Sequence, residues 1–196
     1  DRIIELKDGQ VISDVSRTTS PTQFKDTNIV LKDGLFDVKE SYTLTKKDIK
    51  LIIAGKKGKS YALYKKRCEE LQISDKVIFS GFIELEHLPY FYSACELFVY
   101  PSFYEGFGLP PVEAMACNCP VITSNTTSIP EVVLDSALLI DPYNIDDLCD
   151  SMYEVLLNNN LKNSLIKKGL KRASELTWEK TAINTINAYS DIIKSF

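Results

Sequence analysis

The sequence predicts an α/β fold: a doubly wound, mainly parallel sheet that gives way to a wholly helical C-terminus. Three observations carry this. From residue 50 onward, short apolar runs rich in β-branched and aromatic residues alternate with segments of helical spacing. The runs are apolar throughout and do not alternate, the pattern of strands covered by helices on both faces. After the last such run, apolar residues recur only at three-four spacing.

Taken in order, "KLIIAG", "KVIFSG", "LFVYPS", "PVITSN" and "ALLID" read as strands, and "YALYKKRCEELQ", "LPYFYSAC" and "PPVEAMAC" as the helices between them. Together they describe a Rossmann-like sheet. A helix then opens behind an Asn144 cap with Ile145, Leu148, Met152, Val155 and Leu156 on one face, and a second runs near Leu165 to Leu176. Trp178, Ala182, Ile186, Tyr189 and Ile193 form a last apolar stripe, expected to pack on the sheet domain. Lys162, Lys167, Lys168, Lys171 and Arg172 make a basic face, read as a solvated helix surface or as a site for anionic lipid.

Residues 1 to 47 differ in character. "RIIELKDGQVIS" and "NIVLKDGLFDV" each set two apolar runs about an Asp-Gly pair, a hairpin signal. Between them lies a polar Ser/Thr-rich stretch with Pro21, which reads as a linker. The chain therefore divides into residues 1–27, hairpin and linker, and residues 28–196, the sheet domain. A second reading makes "NIVLKDG" the first strand of the main sheet and "LFDVKESYTL" a short helix.

Composition narrows the function. With 196 residues, 44% hydrophobic and 26% charged, the chain can bury a substantial core. A net charge of -4 offers no general attraction to nucleic acid. No apolar run approaches the roughly 20 residues a bilayer requires, and the start resembles no secretory signal. A cytoplasmic location is expected, with peripheral contact to the inner membrane face. The five cysteines, Cys68, Cys95, Cys117, Cys119 and Cys149, suit reduced packing residues. His87 is the only histidine, which argues against triad chemistry and against a zinc site built on Cys117 and Cys119.

"LIIAGKKGKS" suggests a phosphate-binding P-loop, but Ile53 stands where that loop needs its first glycine. Gly55 and Gly58 still imply a sharp turn after a buried strand. A better anion site lies in "LFVYPSFYEGFGLPPVEAMACNCPVITSN". There a strand ends at Ser102, a loop carries Glu105, Gly106, Phe107 and Gly108, and a helix begins at Pro110 or Pro111. That puts free amides of Phe107, Gly108 and Leu109 at the carboxyl end of a parallel strand, where open sheets bind ligands. Glu105 in the loop and Glu113 in the first helical turn flank the site. Carboxylates there would repel phosphate unless they meet sugar hydroxyls, although the helix dipole alone also favours a first-turn Glu.

These residues carry a resemblance. From "IKLIIAGKKG" through "VIFSGF", the stretch from "LPYFYSAC" to "TSIPEVV", "ALLIDP" and "LTWEKTA", roughly residues 48 to 196, the chain resembles the C-terminal half of retaining glycosyltransferases of family 4, with Glu105 and Glu113, separated by seven residues, as the hallmark pair. The resemblance implies a GT-B architecture whose C-terminal half binds a nucleotide-sugar donor, a GDP- or UDP-sugar, with no metal or other cofactor. It implies Glu105 on the transferred hexose as the catalytic contact and Glu113 on the ribose. Gly106, Phe107, Gly108 and Leu109 would meet phosphate and sugar, Gly81, Phe82 and Ile83 the base, and Gly55, Lys56 and Lys57 the diphosphate. "EGFGLPPVEAMAC" with "TSIPEVV" is similar to bacterial mannosyltransferases of surface polysaccharide, which implies GDP-mannose and a glycan or lipid-linked acceptor.

Two departures qualify it. The family's Gly-Arg and following lysine after its first strand are missing from "KDGLFDVKE", where Lys32 or Lys39 would have to substitute. The family's N-terminal acceptor-binding half is also missing, so the chain is expected to act as a fragment, a fusion or a subunit beside a separate acceptor domain. A non-catalytic nucleotide-sugar-binding module is the alternative. "DRIIELKDGQVISD" also resembles the closing hairpin of ABC-transporter ATPase subunits, which leaves an ATPase-related fragment as a third reading.

Overall fold

A computed structural model describes residues 2–3, 12–16, 28–32, 35–39 and 48–194. Along the chain run β1 (Arg2–Ile3), β2 (Ile12–Ser16), β3 (Asn28–Lys32), β4 (Leu35–Lys39), β5 (Asp48–Ala54), α1 (Tyr61–Glu70), β6 (Val77–Gly81), α2 (Leu88–Ala94) and β7 (Phe98–Tyr100). Then follow α3 (Leu109–Ala116), β8 (Val121–Ser124), α4 (Ile129–Val133), β9 (Leu138–Ile140), α5 (Ile145–Leu157), α6 (Asn159–Glu175) and α7 (Trp178–Lys194). The α/β alternation is as expected, and each of the strands and helices read from residue 50 to the last strand is present.

The strands fall into separate ladders instead of one sheet. β7, β8 and β9 form a parallel sheet in the order β7-β8-β9. β5 pairs parallel with β6, but its other neighbour is β2, antiparallel, with β1 beyond. β3 and β4 pair antiparallel on their own. The reading of residues 35 onward as a helix is thereby corrected: Leu35–Lys39 is a strand, and Lys32↔Leu35 closes the ladder across the Asp-Gly pair. Lys32 and Lys39 lie toward opposite ends of that ladder. The Asp8-Gly9 turn and the linker at residues 17–27 lie outside the described residues.

β7 and β8 are buried along their whole length, as an apolar run predicts. β6 is not: it stands at a sheet edge and alternates, with Ile78 and Ser80 exposed. Burial on both faces therefore holds for β7, β8 and the Leu51–Ala54 part of β5, while β9 is only partly buried. Its core gathers Leu97, Phe98, Met115, Ile122, Ile129 and Ile140, none more than 1% exposed. Burying side chains of this size stabilises by roughly 1.5–3 kcal/mol each. Phe98 lies edge-on to Tyr92 and stacks with Tyr100.

α6 begins at Asn159, earlier than the sequence reading, because Asn158 caps it by accepting from the Leu161 amide at 3.1 Å. Asn144 caps α5 in the same way through the Asp147 amide. α6 packs on α3 at Gly169, where a methyl group would lie 3.0 Å from Met115 Cγ, so the close approach needs glycine. The basic face of α6 is largely spent on the protein. Lys162 is buried against Glu96, and Lys168 pairs with Asp135, whose carboxyl it holds below the ordinary range. Arg172 donates to the carbonyls of Val132 and Glu131, closing the C-terminus of α4.

α7 departs most from expectation. It buries none of its residues, and Trp178, Ile186, Tyr189 and Ile193 are 62–81% exposed. Amphipathic spacing shows that a face is apolar and does not say what covers it. Among the described residues no helix is long and apolar enough to cross a membrane.

Candidate functional site

β7 ends at Tyr100 and the chain leaves the sheet through Pro101 and Ser102 into the acidic loop. Tyr100 and Ser102 are two apart, so an extended chain points both side chains the same way. Both reach Glu105 Oε1: the Tyr100 hydroxyl donates at 2.5 Å and the Ser102 hydroxyl at 2.9 Å. The Glu105 amide donates to Thr127 Oγ1 at 3.1 Å, and its carbonyl accepts from Ser128 Oγ at 2.9 Å. Glu105 is thus held at three points while its Oε2 has no partner among the described residues.

The run Thr123 to Ser128 supplies most of this support. Thr123 Oγ1 donates to the Tyr100 carbonyl at 2.8 Å and Ser124 Oγ to the Ser102 carbonyl at 2.6 Å. Thr126 Oγ1 lies 3.4 Å from the Ser102 and Phe103 carbonyls. β8 and the turn after it stitch down the exit of β7 through a hydroxyl-rich stretch that the sequence reading passed over. Its signal was available: five Ser or Thr in the six residues of "TSNTTS", which close an apolar strand and run on past it, are more than a turn requires.

The helix after the loop starts at Leu109, not at a proline. Gly108 is its N-cap at φ +85°, a left-handed conformation that glycine alone adopts without penalty. Pro110 and Pro111 therefore occupy the second and third helical positions, where they remove two N–H groups. The donors left at this end are the amides of Phe107, Gly108 and Leu109, which have no backbone acceptor among the described residues. An eight-residue helix with free amides at its start favours an anion.

Glu113 consequently sits beyond the first turn, which corrects the sequence reading. The dipole explanation for a carboxylate at that position lapses with it. What holds Glu113 is Tyr92 on α2, whose buried hydroxyl donates to Oε2 at 3.0 Å. Oε1 has no partner among the described residues. Two half-buried carboxylates, each anchored by a tyrosine through one oxygen, flank three free amides.

The remaining predicted residues form a second cluster at the carboxyl ends of β5 and β6. The Gly55 amide donates to the Gly81 carbonyl at 2.9 Å, which brings the turn at 55–57 against the segment 81–83. Lys56 Nζ stands 5.6 Å from the centre of the half-exposed Phe82 ring, and Lys57 Nζ 4.9 Å from that of Tyr61. Ile83 packs partly against the core. Among the described residues no hydrogen bond, ion pair or ring contact joins this cluster to the loop at Glu105. None of the five cysteines is in a disulfide, four of them are buried, and burial pushes the thiols of Cys68 and Cys117 up. Among the described residues no three His, Cys, Asp or Glu side chains gather as metal ligands.

A family model, "Glycosyl transferases group 1", matches residues 26–172. The chain is 46% identical to O-antigen chain mannosyltransferase B of Escherichia coli over 109 residues, 56% of this chain and 29% of that protein. Among solved structures it resembles sucrose-phosphate synthase from Thermosynechococcus elongatus, with a TM-score of 0.65 and 29% identity over 74% of this chain and 39% of the other. It also shares the fold of the C-terminal domain of a glycosyl transferase group 1 family protein from Francisella tularensis, at a TM-score of 0.58 and 24% identity over 63% of this chain and 67% of that one. The chain spans about three tenths of the curated mannosyltransferase it matches.

Proposed function

The chain belongs to the glycosyl transferases group 1 family, and from that premise we propose that it is the donor-binding half of a retaining GT-B glycosyltransferase. The observation that carries the proposal is the pair of anchored carboxylates, Glu105 and Glu113, on either side of the free amides at 107–109. A carboxylate accepts hydrogen bonds from hydroxyls and repels phosphate; amides at a helix start do the reverse. A nucleotide diphosphate sugar presents both groups.

In this reading Glu105 Oε2 accepts from hydroxyls of the transferred hexose and Glu113 Oε1 from the ribose. Gly106 leaves the backbone open, and the amides of Phe107, Gly108 and Leu109 meet the diphosphate and sugar. Lys56 and Lys57 beside Gly55 add positive charge to the diphosphate, and Gly81, Phe82 and Ile83 receive the base. The leaving diphosphate accepts the acceptor's proton on the face it departs from, so configuration is retained. The protein stabilises charge and fixes orientation, and the reading calls for neither a metal nor a protein base. The kinship with an O-antigen mannosyltransferase supports GDP-mannose as donor and a surface glycan, free or lipid-linked, as acceptor. A separate acceptor-binding domain would complete the cleft.

Calorimetric titration with GDP-mannose, UDP-glucose and ATP tests the reading. It predicts saturable binding of a nucleotide sugar, GDP-mannose first, and none of ATP. Absence of binding by either sugar nucleotide at millimolar concentration refutes it.

A further inference from the structure

At the carboxyl edge of the β7-β8-β9 sheet two aromatic side chains stand together in solvent. Phe103 follows the end of β7 and Tyr143 the end of β9. Their rings lie 4.8 Å apart between centroids with 42° between planes, yet Phe103 is 54% exposed and Tyr143 75%. Neither ring belongs to the core cluster, so their contact serves no packing need visible in the fold. Their backbones are nonetheless fixed. The Phe103 carbonyl lies 3.4 Å from Thr126 Oγ1, and the Tyr143 amide donates to Asp141 Oδ1 at 2.9 Å. The Asp141 amide in turn donates to Asp147 Oδ2 at 3.1 Å. The two tilted rings form a small aromatic surface on fixed backbone, and Glu105 lies two residues along the loop from Phe103.

We propose that Phe103 and Tyr143 form a platform that seats a pyranose ring of the acceptor glycan beside Glu105. A pyranose has an apolar C–H face and a rim of hydroxyls, and an aromatic surface with acids close along the chain is its complement. The charges select among occupants. A phosphorylated ligand would call for cations, whereas this segment of the chain has no lysine or arginine from residue 77 to residue 161, and the acids Glu105 and Asp141 each lie two residues from a platform ring; the hydroxyls of a neutral sugar donate to carboxylates. A protein partner would need on the order of 800 Å² on each side, far more than two rings provide. The inference rests on the donor-half reading for its place in the reaction, but the platform's ligand is distinct from the donor.

Saturation-transfer NMR on the full 196-residue chain with α-linked mannotriose at millimolar concentration tests it. Transfer to the ring C–H protons is expected, and Phe103→Ala with Tyr143→Ala should reduce it at least about fivefold, the worth of an aromatic contact of roughly 1 kcal/mol. Tyr90→Ala, an exposed ring on α2, should leave the signal unchanged. No transfer to the wild-type chain, or equal transfer to the double variant, overturns the platform. GDP-mannose is titrated in parallel, and the double variant should bind it as the wild type does. Mannotriose binding without GDP-mannose binding would retain the platform and remove the donor reading; the converse would remove the platform alone.

Discussion

The Tyr100 hydroxyl donates to Glu105 Oε1 at 2.5 Å, joining the last residue of a fully buried strand to an acid five residues down the chain. The bond orients the carboxylate and leaves its other oxygen without a protein partner among the described residues. Tyr100→Phe removes one charge-assisted bond worth about 1.5–3 kcal/mol while Ser102 still holds the same oxygen. Nucleotide-sugar affinity should fall roughly three- to tenfold, and binding of the bare nucleotide diphosphate should change little. Paired titrations of sugar nucleotide and nucleotide check this; equal losses for both would assign Glu105 a structural duty only.

Gly108 holds the start of α3 at φ +85°. A methyl group there would meet Ile129 Cγ1 at 3.4 Å, an ordinary contact, so the cost of Gly108→Ala is chiefly backbone strain of about 1–2 kcal/mol. Thermal unfolding should move down by several degrees. Because the flanking amides turn with that residue, diphosphate affinity should fall by more than the stability loss alone accounts for.

Lys56 and Lys57 are exposed and touch only rings of the same cluster. Replacing both by alanine should shift the melting temperature by no more than about 2 °C, since exposed substitutions rarely exceed 0.5 kcal/mol. Nucleotide diphosphate binding should weaken about tenfold and lose much of its salt dependence. Undiminished binding would place the diphosphate elsewhere.

The buried pair of Glu96 and Lys162 ties α6 to the start of β7. Lys162→Ala leaves a carboxylate that is 2% exposed without its cation, a loss of about 3–5 kcal/mol by chemical denaturation. Combining it with Glu96→Leu should recover most of that loss, which a lipid-binding role for Lys162 would not predict.

Much of the fold was legible from apolar runs and caps, and the reasons for the failures are physical. Asn144 announced α5 because an asparagine before an apolar stripe has one common use. Glu105 and Glu113 were visible by spacing, but their anchors were not: Tyr92 lies 21 residues from Glu113, and Thr127 lies 22 from Glu105. Only the i, i+2 pair Tyr100 and Ser102 could have been read locally. α7 shows the converse, since its spacing was right and its partner was assumed. Lys162 shows that a lysine on a helical surface pattern can face inward when an acid waits in the core.

The central claim is that the two anchored acids meet the hydroxyls of an activated sugar. Calorimetric titration of GDP-mannose into wild type and Glu113→Ala tests it most directly. Removing a carboxylate bonded to ribose hydroxyls should weaken binding by at least several-fold, for a contribution of about 1–2 kcal/mol, with the fold intact by circular dichroism. Identical affinities for the two proteins would contradict it.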